Sequence, residues 1–166
     1  MFHDFRDELP PIRQPRKGKV KPVPLSEYCK KRYCQAHEYN FRSEYPQAYA
    51  SGKYVIPAIP DCNKANGLTQ AIVKVLLWEG NRATRIMSSG RMVKGKYIHG
   101  TTRKGTADIS ATIKGRSCMF EIKVSNDKPS EFQLREQQLE RKAGGQYEFI
   151  STLDQFFTWY DNFLKV

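Results

Sequence analysis

From residue 80 to residue 107 the chain carries no aspartate or glutamate, yet the same stretch holds Arg82, Arg85, Arg91, Lys94, Lys96, Arg103 and Lys104. With no acid close by in sequence, these charges stay open to an anionic partner. The imbalance is general: 28 Lys and Arg stand against 17 Asp and Glu, a net charge of +11. Nucleic acid or an anionic membrane attracts such a surface. Long apolar runs are missing too. None approaches the ~18 residues that mark a membrane-spanning helix. The opening Met1-Phe2-His3-Asp4-Phe5-Arg6 has no apolar signal-peptide core. The expectation is a soluble, cytoplasmic protein with no membrane partner.

Histidine and cysteine are sparse. His3, His37 and His99 are too scattered to supply a catalytic base. Of the four cysteines, Cys29 and Cys34 with His37 have a loosely zinc-like spacing, and Cys62 and His99 are distant additions. A structural zinc site usually shows tighter pairs, C-x₂₋₄-C twice, so reduced structural thiols are the default reading. Disulfides are not expected without a secretion signal. There is no Gly-rich phosphate loop, no Ser-His-Asp order and no internal repeat, which removes the common nucleotide-binding, acyl-transfer and solenoid readings.

A chain of 166 residues, 39% hydrophobic, suits one core domain with an appendage. The composition changes near residue 60. Residues 1–25 are rich in Pro and Lys and read as an extended arm. Residues 26–60 are aromatic and basic, with a helix starting near Ser26. Tyr28, Tyr33, Tyr39, Phe41, Tyr45, Tyr49 and Tyr54 either pack on the core or stack on unpaired bases, and packing is the favoured reading. The division is therefore residues 1–60, a basic Pro- and Tyr-rich extension, and residues 61–166, the core domain. The core opens with a helix over 67–79, whose stripe of Leu68, Ile72, Val75 and Leu76 is widened by Val73 and Leu77. A short strand over 83–87 follows. Ser88-Ser89-Gly90-Arg91 and Gly95-Lys96 then mark a flexible basic loop.

The most informative stretch comes next. Residues 107–113 alternate, with Asp108, Ser110 and Thr112 on one face and Ile109, Ala111 and Ile113 on the other. Residues 117–124 alternate likewise, with Glu121 and Lys123 opposite Cys118, Phe120, Ile122 and Val124. A two-residue hairpin at Lys114-Gly115 pairs Ile113 with Arg116. Asp108 then stands directly across from Glu121, where opposed Cβ atoms are ~5 Å apart. Two carboxylates so close repel unless one is protonated or a cation lies between them. Mg²⁺ or Mn²⁺, with oxygen ligands and retained waters, fits that gap, and Lys123 lies on the same face near an attacking water. Ser130 caps a helix to about Lys142 with Gln133 three residues on, a capping box. Residues 147–150 read as a strand, and Thr152 with Gln155 opens a last helix. The order implies an α/β (α+β) fold, a small mixed sheet with helices on both faces.

Gly105-Thr106-Ala107-Asp108, then Glu121-Ile122-Lys123, then Ser130-x-x-Gln133, then Ala143-Gly144-Gly145 and a strand, resembles the PD-(D/E)XK nuclease superfamily, most closely its VRR-NUC branch, over residues 66–160. The resemblance implies a restriction-endonuclease-like core and a Mg²⁺-dependent endonuclease acting on DNA, with RNA the lesser alternative. It implies Asp108 and Glu121 as metal ligands, with the backbone carbonyl of Ile122 as a further one. Lys123 orients the water and offsets negative charge, and Gln133 supports the site, a role that stands beside its structural one as a cap. Many relatives carry a Glu on the preceding helix, whereas this helix has Thr69 and Gln70 at its start and Glu79 only at its end. Branched or Holliday-type DNA is one substrate structure the resemblance implies, with flap, single-strand and duplex cutting open beside it, and a homodimer suits symmetric junction cutting. An inactive nucleic-acid-binding module of the same fold is the rival reading.

Overall fold

The computed structural model describes residues 22–86, 91–93, 96–98 and 103–165. Among these the elements run α1 (Glu27–Glu44), α2 (Pro46–Ala50), α3 (Ala65–Trp78), β1 (Arg82–Arg85), β2 (Arg91–Val93), β3 (Lys96–Ile98), β4 (Ile109–Ile113), β5 (Arg116–Ile122), α4 (Glu131–Lys142), β6 (Gln146–Ile150) and α5 (Leu153–Phe163). The expected arm at 1–21 lies outside the described residues.

The motif hairpin forms in the expected register. Lys114 (φ +48°) and Gly115 (φ +77°) both take positive φ, the turn geometry whose twist matches that of the flanking strands. Ile113 therefore pairs with Arg116, and Ile109 with Phe120. β1 joins β4 antiparallel and β6 joins β5 parallel, giving the order β1-β4-β5-β6. Parallel neighbours need a crossover, and α4 supplies it.

Alternation splits the sheet into two unequal faces. Ile109, Ala111, Ile113, Cys118, Phe120 and Ile122 point into the core with Leu68, Ile72, Val75 and Leu76 of α3 and Leu153, Phe156, Phe157 and Tyr160 of α5. Leu77, expected in the stripe of α3, is 49% exposed instead. The other face is thinly covered by α4, which has no buried residue.

Two expectations are corrected. The basic loop is in part a β-hairpin: Arg91, Met92 and Val93 of β2 pair with Ile98, Tyr97 and Lys96 of β3. Val, Tyr and Ile favour extended pairing, and this outweighed the Gly and Ser signals. The strand expected over 83–87 runs Arg82–Arg85.

The segment before residue 60 also contributes to the one core. Ser26 caps α1 by accepting from the Cys29 N–H at 3.1 Å, and Cys29, Tyr33 and Ala36 are buried among the residues of α3 and α5. Tyr33 meets Trp78 edge-on at 5.2 Å. Phe41, Tyr49 and Tyr54 pack on one another, while Tyr39 and Tyr45 remain largely exposed. Arg32 fastens α1 down. It pairs with Glu79 and, at 3.1 Å through Nε, with Asp161, and its guanidinium lies 5.4 Å from the Phe157 ring centre.

Arg32→Ala should leave both acids without a cation and bare the Phe157 and Tyr160 rings. The expected loss is about 3 kcal/mol, or roughly 5–10 °C in Tm, read by thermal denaturation. An unshifted Tm would show that α1 is held by its apolar face alone.

Candidate active site

The site forms where the hairpin ladder ends. Beyond the Ile109–Phe120 pair the same register brings Asp108 opposite Glu121. Asp108 lies one residue before β4, not inside a strand. Its carbonyl accepts from the Ile86 N–H at 2.7 Å, and its carboxylate Oδ2 accepts from the Ile122 N–H at 3.0 Å. The Ile122 backbone is thereby held against Asp108.

Glu121 and Lys123 share the α4 face of the sheet, and both are buried, at 5% and 8% exposure. Their neighbours explain how charge is tolerated there. Glu121 Oε1 accepts a hydrogen bond from Gln133 Nε2 and lies 3.1 Å from Lys123 Nζ. Lys123 Nζ also lies 3.4 Å from Asp127 Oδ2, and the Lys123 N–H donates to the Ile150 carbonyl. Burial pushes the Glu121 carboxyl up, and the Asp108 charge adds to this; Lys123 opposes both, and the outcome is a pKa of about 7.

Gln133 makes two contacts at once. Its Oε1 accepts from the Ser130 N–H at 2.9 Å, closing the capping box of α4, while its Nε2 holds Glu121. The amide has a donor end and an acceptor end, so capping α4 and bonding Glu121 are not alternatives. The start of α4 is thus tied directly to the carboxylate.

Asp108, Glu121, Ser130 and Gln133 line a cleft of about 330 Å³ that also takes in Arg103, Lys104, Gly105, Thr106 and Phe132, while Lys123 reaches it only through Glu121. Sequence reading gave no role to Phe132 and none of its own to Gly105. Gly105 (φ +87°) comes so close to α4 that a Cβ would meet the Phe132 carbonyl oxygen at 2.5 Å, and its own carbonyl accepts from the Tyr147 hydroxyl at 3.0 Å. The glycine before Asp108 was its only signal. Asp127 stands four residues after Lys123 in a loop whose polarity alone gave no hint of that contact.

The seven basic residues are not equally placed. Arg103 and Lys104 line the cleft, with Arg103 paired to Glu136. Arg85 stands opposite Ile109, at the same end of the sheet, but donates to Asn66 Oδ1 at 2.6 Å. Arg82 lies three residues away along β1, roughly 10 Å, opposite Thr112. Lys94, and the side chains of Arg91 and Lys96, lie outside the described residues, as does His99. Glu79 is at the far end of α3, roughly 20 Å from its start, and pairs with Arg32. Cys29 is in the core, while the His37 ring packs on Trp78 at 4.7 Å.

Among the described residues no group of three or more His, Cys, Asp or Glu is placed to hold a metal ion. The donors present are two carboxylates, which is what Mg²⁺ takes from a protein when waters and a phosphate complete its shell. A buried glutamate pushed towards neutrality beside a second acid also presents an electrostatic deficit that a cation would relieve. The residues fit a hard divalent ion in these two respects.

No protein-family model matches the chain, and no curated protein matches it. A solved structure described as a VRR_NUC domain is similar to it at 21% identity, covering 59% of this chain and 96% of its own, with a TM-score of 0.42. No helix among the described residues is long and apolar enough to cross a membrane.

The Glu121 shift fixes the sign of a pH effect. Its folded pKa of about 7 exceeds the ordinary 4.5, so its contribution to stability is full below 4.5 and lost as pH rises through 7. In EDTA, the Tm of the wild type relative to Glu121→Gln should fall by about 5–10 °C between these limits, following an energy on the order of 3 kcal/mol. A difference that stays flat with pH would mean Glu121 is not strained when ionised.

Proposed function

We propose that this chain is a nuclease that hydrolyses phosphodiester bonds with the help of Mg²⁺ or Mn²⁺ at Asp108 and Glu121, with DNA as the substrate. The observation that carries the reading is the buried pair Glu121 and Lys123, of which Glu121, with Asp108, lines a cleft that Arg103 and Lys104 also line. Burying an acid and an amine costs several kcal/mol before their attraction offsets it, and an apolar pair would close that face of the sheet at lower cost. Their retention beside a second acid suits catalysis better than stability.

Asp108 and Glu121 would hold the ion, with the Ile122 carbonyl as the third proposed ligand. When bound, the ion supplies Lewis-acid polarisation of the scissile phosphate and a water of lowered pKa. Gln133 keeps the Glu121 carboxylate aimed into the cleft. Lys123, now on Glu121, would turn towards an incoming water and offset charge that develops on the phosphate. Arg103 and Lys104 draw the phosphate backbone in and orient it. Arg91, Lys94 and Lys96 are proposed to extend that track. A cut that leaves both sides of a symmetric junction requires two copies of the site, which is the ground for proposing a homodimer.

One observation favours the rival reading of an inactive binding module. The Glu121 oxygen is already satisfied by Gln133 and Lys123, which is a closed arrangement without any ion. Cleavage separates the two readings.

Asp108→Ala and Glu121→Ala should each lower Mg²⁺-dependent cleavage of labelled DNA at least about 100-fold, the scale of losing a principal transition-state contact. Lys123→Ala should lower turnover far more than affinity. A panel of duplex, single-strand, flap and four-way-junction DNA with Mg²⁺, Mn²⁺ and EDTA reads this. Near wild-type turnover in either acid variant contradicts the assignment. Neutralising Arg103 and Lys104 to Gln should flatten the slope of log K against log salt by about 0.9 per lost duplex contact, equally for all sequences.

A further inference from the structure

Phe132 is a large apolar side chain, 52% exposed, on the wall of the cleft that holds Asp108 and Glu121. A lone exposed phenylalanine is unremarkable on a protein surface. Three features set this one apart. First, it stands at the second position of α4, one residue before Gln133, so the capping box that aims Gln133 at Glu121 also fixes the Phe132 backbone. Second, the absent side chain of Gly105 lets the 103–106 loop seat directly on the Phe132 carbonyl. The ring is therefore carried on backbone locked from both sides, not on a mobile tip. Third, Lys104 Nζ lies 5.2 Å from the ring centre.

An ammonium group beside an exposed ring, at the mouth of a phosphate site, offers the two things a single nucleotide presents: an anionic phosphate and an aromatic base. A base within a duplex is stacked on its neighbours and has no free face to offer. An unpaired base has one.

We propose that Phe132 is the stacking platform for one unpaired base next to the scissile phosphate. Lys104 takes the phosphate of that nucleotide, and the site prefers nucleic acid that is single-stranded, gapped or branched at the cut. The inference rests on the nuclease reading given above and specifies its substrate class.

The test separates base from backbone and needs no cleavage. In the Asp108→Ala background, fluorescence anisotropy measures binding of three 12-residue probes at one salt concentration: oligo-dT, an abasic deoxyribose-phosphate chain of the same length, and a fully paired duplex. Phe132→Leu should weaken oligo-dT binding about five- to tenfold, the low end of what one stacked base contributes, and leave the abasic and duplex probes unchanged. Phe132→Trp should restore oligo-dT binding, and its indole fluorescence should be quenched by oligo-dT but not by the abasic chain. An equal loss on all three probes, or none on any, overturns the stacking role while leaving the nuclease reading intact. Absence of binding by the parent protein to every probe overturns the nucleic-acid reading itself, and this inference with it. Because the ring is half exposed, Phe132→Leu should keep the parent Tm, and that measurement accompanies the binding series.

Discussion

A carboxylate buried on the thin face of a four-stranded sheet governs the organisation of this molecule's cleft. Glu121 is 5% exposed, and water does not satisfy it, so the protein must. Three elements converge on it. The residue just past β5 is Lys123, two on from Glu121, the start of α4 sends in Gln133, and the residue before β4 is Asp108. The first two relieve the ionised form and the third opposes it. A fold built for stability alone has no reason to place Asp108 there. The imbalance makes physical sense as the resting condition of a site that accepts positive charge.

The crossover explains why the groups meet. β5 and β6 run parallel, so α4 must begin just beyond the end of β5. In open sheets with such crossovers, ligand sites gather beyond the carboxyl ends of strands. Here Asp108, at the start of an antiparallel neighbour, completes the same edge. The close approach at Gly105 and the Tyr147 bond to its carbonyl hold the loop before Asp108 against α4. The cleft wall and the helix that holds Glu121 are therefore in direct contact.

Much of this was legible in the residues. Strict alternation around Lys114-Gly115 allowed only one register for the hairpin, because a one-residue slip would have put Asp108 and Glu121 into the apolar core. The helical stripe of Leu68, Ile72, Val75 and Leu76 and the caps at Ser26, Ser130 and Thr152 were equally direct. What stayed hidden was non-local. The contact of Lys123 with Asp127 depends on how a polar loop folds back, and the attachment of α1 through Arg32 joins residues 129 apart in sequence. The composition shift near residue 60 marked a real change in chemistry, but Cys29, Tyr33 and Ala36 belong to the same core as the rest. The β2–β3 hairpin was masked by Gly and Ser, whose turn signals also suit a hairpin.

The claim at the centre of this account is that Asp108 and Glu121 together form a seat for one divalent cation. Calorimetric titration of Mn²⁺ into the protein at pH 6 and pH 8 addresses it directly. With Glu121 titrating near 7, the account predicts a single site, tighter at pH 8, with proton release on binding at pH 6 that disappears in Glu121→Gln. Binding whose strength and proton release are the same at both pH values, or the same in Glu121→Gln as in the wild type, would contradict it.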